Sequence, residues 1–498
     1  VSHHRIAPNV DDSSDQLAAA LAALRTELDL PGAYPAAAVA EARQAVETLK
    51  LPDRDMREIP FLTIDPATST DLDQALFMDR SGDGYKVLYA IADVPAFVVP
   101  GGALDAETRQ RGQTFYAPDG RIPLHPEVIS ENAGSLLAGQ VCSAFVWEFE
   151  LDAQADVVAV SMARAVVRST SKLSYTGAQQ QIDDGTAPPV LQLLKEVGLK
   201  RVELERLRGG ASLNMPEQEI VQATDGGGYR IAAAPSLPVE DWNAQISLMT
   251  GMAAAQLMLD GKVGILRTMP APDDRSLLHF KRQTVALGKP WDGKTSYGEY
   301  LRTLDASDPK QLAILHSAGT LFRGAGYTPF DGEVPANVVQ AAIGAPYAHT
   351  TAPLRRLIDR FVLVICEALS NNHPIPAWAR DALPSLPDIM ASSDQLAGRL
   401  ERAALDTVEA ALVANHVGQE FDAVVISGSK PSNGNANGKG TGNGNGNGNG
   451  SGPYGVVQIA EPAVTARCDG ELESGTNVRV RLVKADIASR EIRFQLLP

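Results

Sequence analysis

The sequence predicts an α+β protein, with a large domain of mixed strands and helices followed by a small five-stranded β-barrel. Three observations lead there. Short strand-like runs such as FLTID, residues 61–65, alternate with long helical patterns that begin at Val190 and Trp242. After residue 417 the helical patterns cease, and five short alternating segments follow: FDAVVIS, YGVVQI, AVTARC, NVRVRLVKAD and REIRFQL. A chain of 498 residues with 44% hydrophobic side chains has the length for two to four domains and the apolar content for a full core.

Taken in order, residues 1–14 read as an unpacked lead-in. Leu17, Leu21, Leu24 and Leu28 recur at spacings of three and four, and a second helical run ends near Leu51. Gly32 and Pro35 divide the two helices, so residues 1–57 form a helical segment, read as a packing arm. FLTID is a strand stopped by Pro66, and ALFMDRSGDGYKVLYAIADV is a hairpin turning at Ser81-Gly82-Asp83-Gly84. Residues 147–167 give another strand–turn–strand. With no clean internal linker, 58–412 reads as one domain. The five strands of 417–498 match the count of a small oligonucleotide/oligosaccharide-binding (OB) barrel. Between its first two strands lies a Gly/Asn-rich run, 428–452, that cannot bury apolar surface and is expected to be a disordered surface insertion.

Charge narrows the function. Lys plus Arg total 44 against 60 Asp plus Glu, a net −16, which argues against a protein that coats nucleic acid non-specifically. A strand threaded through a locally basic channel stays compatible with it. No run is apolar enough to span a bilayer, and the N-terminus lacks a basic segment before an apolar core. Cys142, Cys366 and Cys468 have no metal-type spacing and read as buried thiols in a reducing compartment. A cytoplasmic monomer without membrane contact is the expectation.

Asp65, Asp71 and Asp73 fall within nine positions in FLTIDPATSTDLDQAL. Two carboxylates about 4 Å apart repel by about 4 kcal/mol at an effective dielectric of about 20, so something must offset the charge. Asp71 and Asp73 share a face if extended, and the loop from Pro66 can bring Asp65 beside them. A hard divalent cation wants such oxygens; Mg2+ binds through few carboxylates and takes substrate phosphate as well. A polar turn with hydrogen-bonded Asp side chains is the alternative. An EF-hand calcium loop is excluded, since the required glycine and glutamate are missing.

A second constellation is YAHTTAPLRRLIDRFVLVICEAL, residues 347–369. Thr351 before Pro353 reads as a helix start, with Leu354, Leu357, Ile358, Phe361 and Ile365 as its buried stripe. Arg355 and Arg356 then sit in the first turn, where the helix dipole disfavours cations unless an anion is bound. A phosphate there would resolve the conflict. An Arg355–Asp359 ion pair is the plainer reading, though it leaves Arg356, Tyr347 and His349 without a role.

Together, IDPATSTDLDQAL, YAIADVPAFV, RGQTFYAPDGRIPLHPEVISENAGSLL, STSKLSYT and YAHTTAPLRR resemble the bacterial RNase II/RNase R (RNB) family, in that family's order, with an S1-like OB barrel in its place after them. The resemblance covers roughly 58–498. The N-terminal side departs from it, since two cold-shock barrels are usual there and this chain shows only helices. The resemblance implies an RNB-type catalytic domain acting as a Mg2+-dependent hydrolase, with Mn2+ as a substitute. It would degrade single-stranded RNA from a free 3′ end to nucleoside 5′-monophosphates. It further implies that Asp65, Asp71 and Asp73 are metal ligands and that Arg355 contacts the scissile phosphate. Tyr116 would clamp the 3′-terminal nucleotides, Tyr175 would line the site, and Tyr347, His349 and Arg356 would belong to the RNA-binding lead-in. One position departs: DLDQAL puts Gln74 where the family usually has a fourth Asp. As a ligand its amide would bring one negative charge fewer, and the chain could be an RNA-binding protein with weak or lost hydrolysis. A metal phosphoesterase for small substrates is a further alternative, against which the barrel argues.

Overall fold

The computed structural model describes residues 12–117, 120–211, 217–222, 229–234, 237–305, 308–319, 321, 323–429, 453–459 and 464–498. Nearly all of the Gly/Asn-rich run lies outside them. Two helices open the chain, α1 (Asp12–Glu27) and α2 (Ala36–Glu47). The predicted leucine stripe of α1 is buried, and it packs with Phe115, Ile122, Leu400, Ala404 and Val408.

The first half of the large domain is a closed five-stranded barrel, which the sequence reading did not foresee. It is built from β1 (Phe61–Asp65), β2 (Gln74–Ser81) and β3 (Gly84–Ala92), then β6 (Val141–Leu151) and β7 (Val157–Ser174). Between β3 and β6 come α3 (Ala103–Arg111), a small hairpin of β4 (Phe115–Ala117) and β5 (Gly120–Ile122), and a π-helical turn at Val128–Ala133. The 18-residue β7 closes the barrel by running parallel to β1, with Asp65 opposite Ser174. One face of these strands is mostly small, with Ala75, Ala90, Ala144 and Ala165 in one cluster, as a narrow barrel requires. The opposite face carries Tyr85, Tyr89, Phe145, Trp147 and Phe149, which join the main core with the helices. Burial on both faces explains why β3 is apolar nearly throughout instead of alternating.

The helical half follows: α4 (Tyr175–Asp183), α5 (Pro189–Leu207), a two-stranded unit of β8 (Glu217–Gln222) and β9 (Tyr229–Ala234), and α6 (Pro238–Gly261). Next, β10 (Val263–Thr268) pairs with β11 (Gly326–Asp331) around α7 (Asp274–Ala286), α8 (Tyr297–Arg302) and α9 (Pro309–Gly319). The short pair β12 (Val339–Gln340) and β13 (Ala345–Pro346) leads to α10 (Leu357–Ser370), α11 (Ala377–Ala382) and the long α12 (Leu386–Val413).

The C-terminal strands, β14 (Glu420–Ser427), β15 (Tyr454–Ile459), β16 (Val464–Asp469), β17 (Asn477–Asp486) and β18 (Glu491–Leu496), close as expected into a barrel of order 14-15-16-18-17. It has its own core around Phe421, Val457, Leu482 and Phe494, against which Val413 of α12 also packs. The three cysteines are free and buried, as the sequence suggested. Among the described residues, no helix is long and apolar enough to cross a membrane.

One expectation needs correction. The helix read as starting at Thr351 starts at Leu357, and Arg356 is its N-cap in an extended conformation, φ −130° and ψ 126°. The chain from Ala352 to Arg355 is a turn, with Ala352 accepting from the Arg356 N–H at 2.9 Å. Arg355 and Arg356 therefore lie before the first helical turn. The stripe holds, although α10 is buried on nearly every face.

Candidate active site

The site forms where β1 ends and β2 begins. The loop between them is pinned at several points. The Leu72 N–H donates to Ser135 Oγ at 2.9 Å, the Asp73 carbonyl accepts from the Ala92 N–H at 2.9 Å, and Lys172 Nζ donates to the carbonyls of Ala67 and Ser69. Leu72 is fully buried, so its neighbours Asp71 and Asp73 are fixed on either side of an anchored residue.

The three carboxylates meet different fates. Asp71 accepts from Arg121 Nη1 at 2.6 Å, and Arg121 also pairs with Glu131 at 2.6 Å. Asp73 is buried; its Oδ1 accepts from the Leu354 N–H at 2.7 Å, and its Oδ2 lies 3.4 Å from Arg355 Nε. Burial pushes the Asp73 carboxyl up to about 8, against the pull of Arg355 and the Leu354 N–H. Burial likewise holds Asp65 at about 7, opposed by Arg355 and reinforced by Asp71. The repulsion is thus relieved in two ways: Arg121 neutralises Asp71, while Asp65 and Asp73 are biased towards the protonated form.

Asp71 and Asp73 thus have separate protein partners. Among the described residues, no group of three or more His, Cys, Asp or Glu side chains is arranged to hold a metal. Gln74 does not offer its carbonyl either: Oε1 accepts from the Tyr89 hydroxyl at 2.9 Å, and Nε2 donates to the Thr351 carbonyl at 2.5 Å. Asp73, buried, and Asp65, half-buried at the end of β1, do fit a Mg2+ that completes its shell with water and phosphate. They are the residues that would hold it.

The phosphate-side residues also divide. Arg355 faces Asp73 and keeps nearly half of its side chain exposed, so it does not form the Arg355–Asp359 pair. That pair belongs to Arg356, whose Nε and Nη2 donate to the two Asp359 oxygens at 2.9 and 2.8 Å. Arg356 is thereby a structural clamp, and the helix dipole's penalty is met by a carboxylate instead of a ligand. Tyr347 is buried, with its ring over Gly251, where a Cβ would lie 2.2 Å from a ring carbon. His349 accepts from or donates to the Tyr327 hydroxyl at 2.8 Å, edge-on to Tyr347.

Tyr116 is placed differently. In the β4–β5 hairpin Phe115 and Ile122 turn into the core with α1, while Tyr116 is 54% exposed. Its cross-strand partner is Arg121, so the free aromatic ring and the guanidinium that holds Asp71 share one face. The Thr114 N–H donates to the Arg355 carbonyl at 2.9 Å, tying this hairpin to the arginine turn. Tyr175 opens α4 directly after β7, with its hydroxyl accepting from Asn243 Nδ2 at 3.4 Å. The sequence reading missed Arg121 and Tyr89. Arg121 had a signal, as the residue two strand positions from a turn in YAPDGRI; Tyr89 sat unremarked inside an apolar strand.

Comparison with known proteins follows this geometry. A model of the RNB domain matches residues 53–372, and one of the RNase II-type exonuclease C-terminal S1 domain matches 419–497. DIS3-like exonuclease 2 and Inactive exonuclease DIS3L2, both of Arabidopsis thaliana, are each 29% identical over 359 residues, covering 64% of this chain and 33% of the relative. The chain thus spans about a third of the length of these relatives. The apo form of Mycoplasma genitalium RNase R superposes with a TM-score of 0.82 at 18% identity, covering 97% of this chain and 78% of that one, which establishes a shared fold. The same RNase R has also been solved with ribose methylated single-stranded RNA and with double-stranded RNA.

Proposed function

Because the chain belongs to the RNB family, we propose that it is a 3′→5′ exoribonuclease that hydrolyses single-stranded RNA to nucleoside 5′-monophosphates with Mg2+ or Mn2+. The observation that carries this reading is the opposition of buried Asp73 and half-exposed Arg355 at the corner towards which Tyr116 presents its ring. Arg355 has donors left for a phosphoryl oxygen as charge develops there. Tyr116 can stack on any base, for roughly 1–3 kcal/mol, as a sequence-indifferent enzyme needs. A divalent cation, when bound, would lower the pKa of a water and offset negative charge on the phosphate. The Asp65 and Asp73 carboxylates would give up their protons to receive it. The relatives' RNA complexes support RNA as the substrate class.

Gln74 favours a second reading, RNA binding with hydrolysis weak or lost, since both ends of its amide are engaged by protein groups. One relative named inactive makes that outcome concrete for the family. End-labelled single-stranded RNA incubated with the metal separates the two. Mononucleotide release that vanishes in Asp73→Asn is the expected result. Binding of the RNA without release by the unmodified chain would establish the second reading instead.

A further inference from the structure

Between the N-terminal arm and the β4–β5 hairpin lies a cavity of about 800 Å3, within the size range of small-ligand sites. One wall is the helical arm, which none of the motifs read from the sequence includes. Four arginines, Arg25, Arg43, Arg111 and Arg121, line the cavity against two carboxylates, Asp29 and Glu127, in a chain of net charge −16.

The four guanidiniums are held to different degrees. Arg111 is buried, bound to Glu107 and to the Gly32 carbonyl, and lies 3.8 Å over the Tyr34 ring. Tyr34 in turn donates to the Pro123 carbonyl, so this wall is rigid. Arg25 donates to the Gly120 carbonyl at 3.3 Å, linking α1 to the hairpin. Arg43 is exposed on α2 and makes no ion pair among the described residues. Arg121 belongs to two places at once, since the side chain that holds Asp71 also forms part of the cavity lining. Pro31 and Val39 add apolar surface between the cations.

We propose that this cavity binds a nucleoside 5′-monophosphate, receiving the product after it leaves the carboxylates. The inference rests on the exoribonuclease reading for the identity of the ligand, and on the arginine-lined cavity for its place. The phosphate dianion meets Arg43, and the base lies on the apolar surface by Pro31 and Val39. Arg121, which holds Asp71 and also lines the cavity, connects the two places.

The test is calorimetric titration of 5′-AMP into the full chain in EDTA, so that no metal site contributes. Binding is expected, weakened about tenfold or more by Arg43→Glu and by Val39→Trp, which fills the cavity without altering its charge. No binding at millimolar AMP, or binding that neither variant changes, overturns the proposal. Inorganic phosphate binding as tightly as AMP would leave a plain anion site and remove the nucleotide assignment. An RNA oligonucleotide competing at the same site with greater affinity would make the occupant the strand and not the product. A chain that binds AMP through Arg43 yet releases no nucleotide from RNA retains the site and refutes the nuclease reading. Active hydrolysis with no AMP binding does the reverse.

Discussion

Gln74 shows how much one side chain can decide. It is the first residue of β2, and its amide joins that strand to Tyr89 on β3 and to Thr351 beside the arginine turn, so it works as a strut. Replacing it by Asp shortens the side chain and removes the donor to the Thr351 carbonyl. An unpaired buried polar group costs about 1–3 kcal/mol, so Gln74→Asp should lower unfolding stability by that amount while shifting the Mg2+ concentration required for activity. Stability measured in denaturant and a metal titration report the two effects separately; if neither moves, the strut and its nearness to the metal are both refuted. Tyr116 has the opposite character, a ring that is 54% exposed. Tyr116→Ala should leave stability within about 0.5 kcal/mol and lengthen the final undegraded fragment, resolved on a sequencing gel. An unchanged end product would remove Tyr116 from the clamp.

At the scale of elements, what sequence reveals follows the range of the interaction. FLTID, the hairpin at Gly82 and the five C-terminal strands were legible because alternation and turn residues act between neighbours. The start of α10 was misread because a Thr-x-Pro signal is local, whereas Ala352–Arg356 is held as a turn by Asp359 and by Gly112 and Thr114 far back in the chain. The same distance hid Gln74's partner at Thr351 and the pairing of Asp71 with Arg121. Nearness in sequence says nothing of the partners of each acid, Arg121 for Asp71 and the Leu354 N–H and Arg355 for Asp73. Another such contact joins α12 to the C-terminal barrel: the buried Glu409 carboxylate accepts from the Thr465 N–H at 3.0 Å. Burial holds its carboxyl up at about 7, with the Thr465 N–H acting against this and Asp406 adding to it. The folded chain therefore keeps a proton that the unfolded chain releases near 4.5. Stability should fall as pH rises from about 4.5 to 7, with the full penalty present above that window. Glu409→Gln has no proton to lose, so its stability relative to the unmodified chain should rise by about 3 kcal/mol across the window. Parallel pH profiles for the two proteins would disprove this role.

At the scale of the whole molecule, two closed barrels stand at opposite ends of the sequence and are stabilised in different ways. The first shares its larger-residue face with α5, α6 and α10, so barrel and helices form one core. The second closes around its own residues and borrows mainly Val413 from outside. Its further attachments run through Glu409, through the Arg490–Glu27 ion pair to α1, and through Gly475, which lies against Leu287 and Lys310 near α7 and α9. A domain with a separate core and a modest interface can unfold without its neighbour. Calorimetry should therefore show more than one transition. Phe494 is fully buried in the C-terminal barrel, so Phe494→Ala should cost that barrel about 3–5 kcal/mol and move its transition alone. The transition of the larger domain should stay where it was, since its core contains no atom of that ring. If a single transition shifts as a whole, the barrel is coupled to the RNB domain more tightly than its contacts with α1, α9 and α12 can account for, and the picture of two separate cores fails.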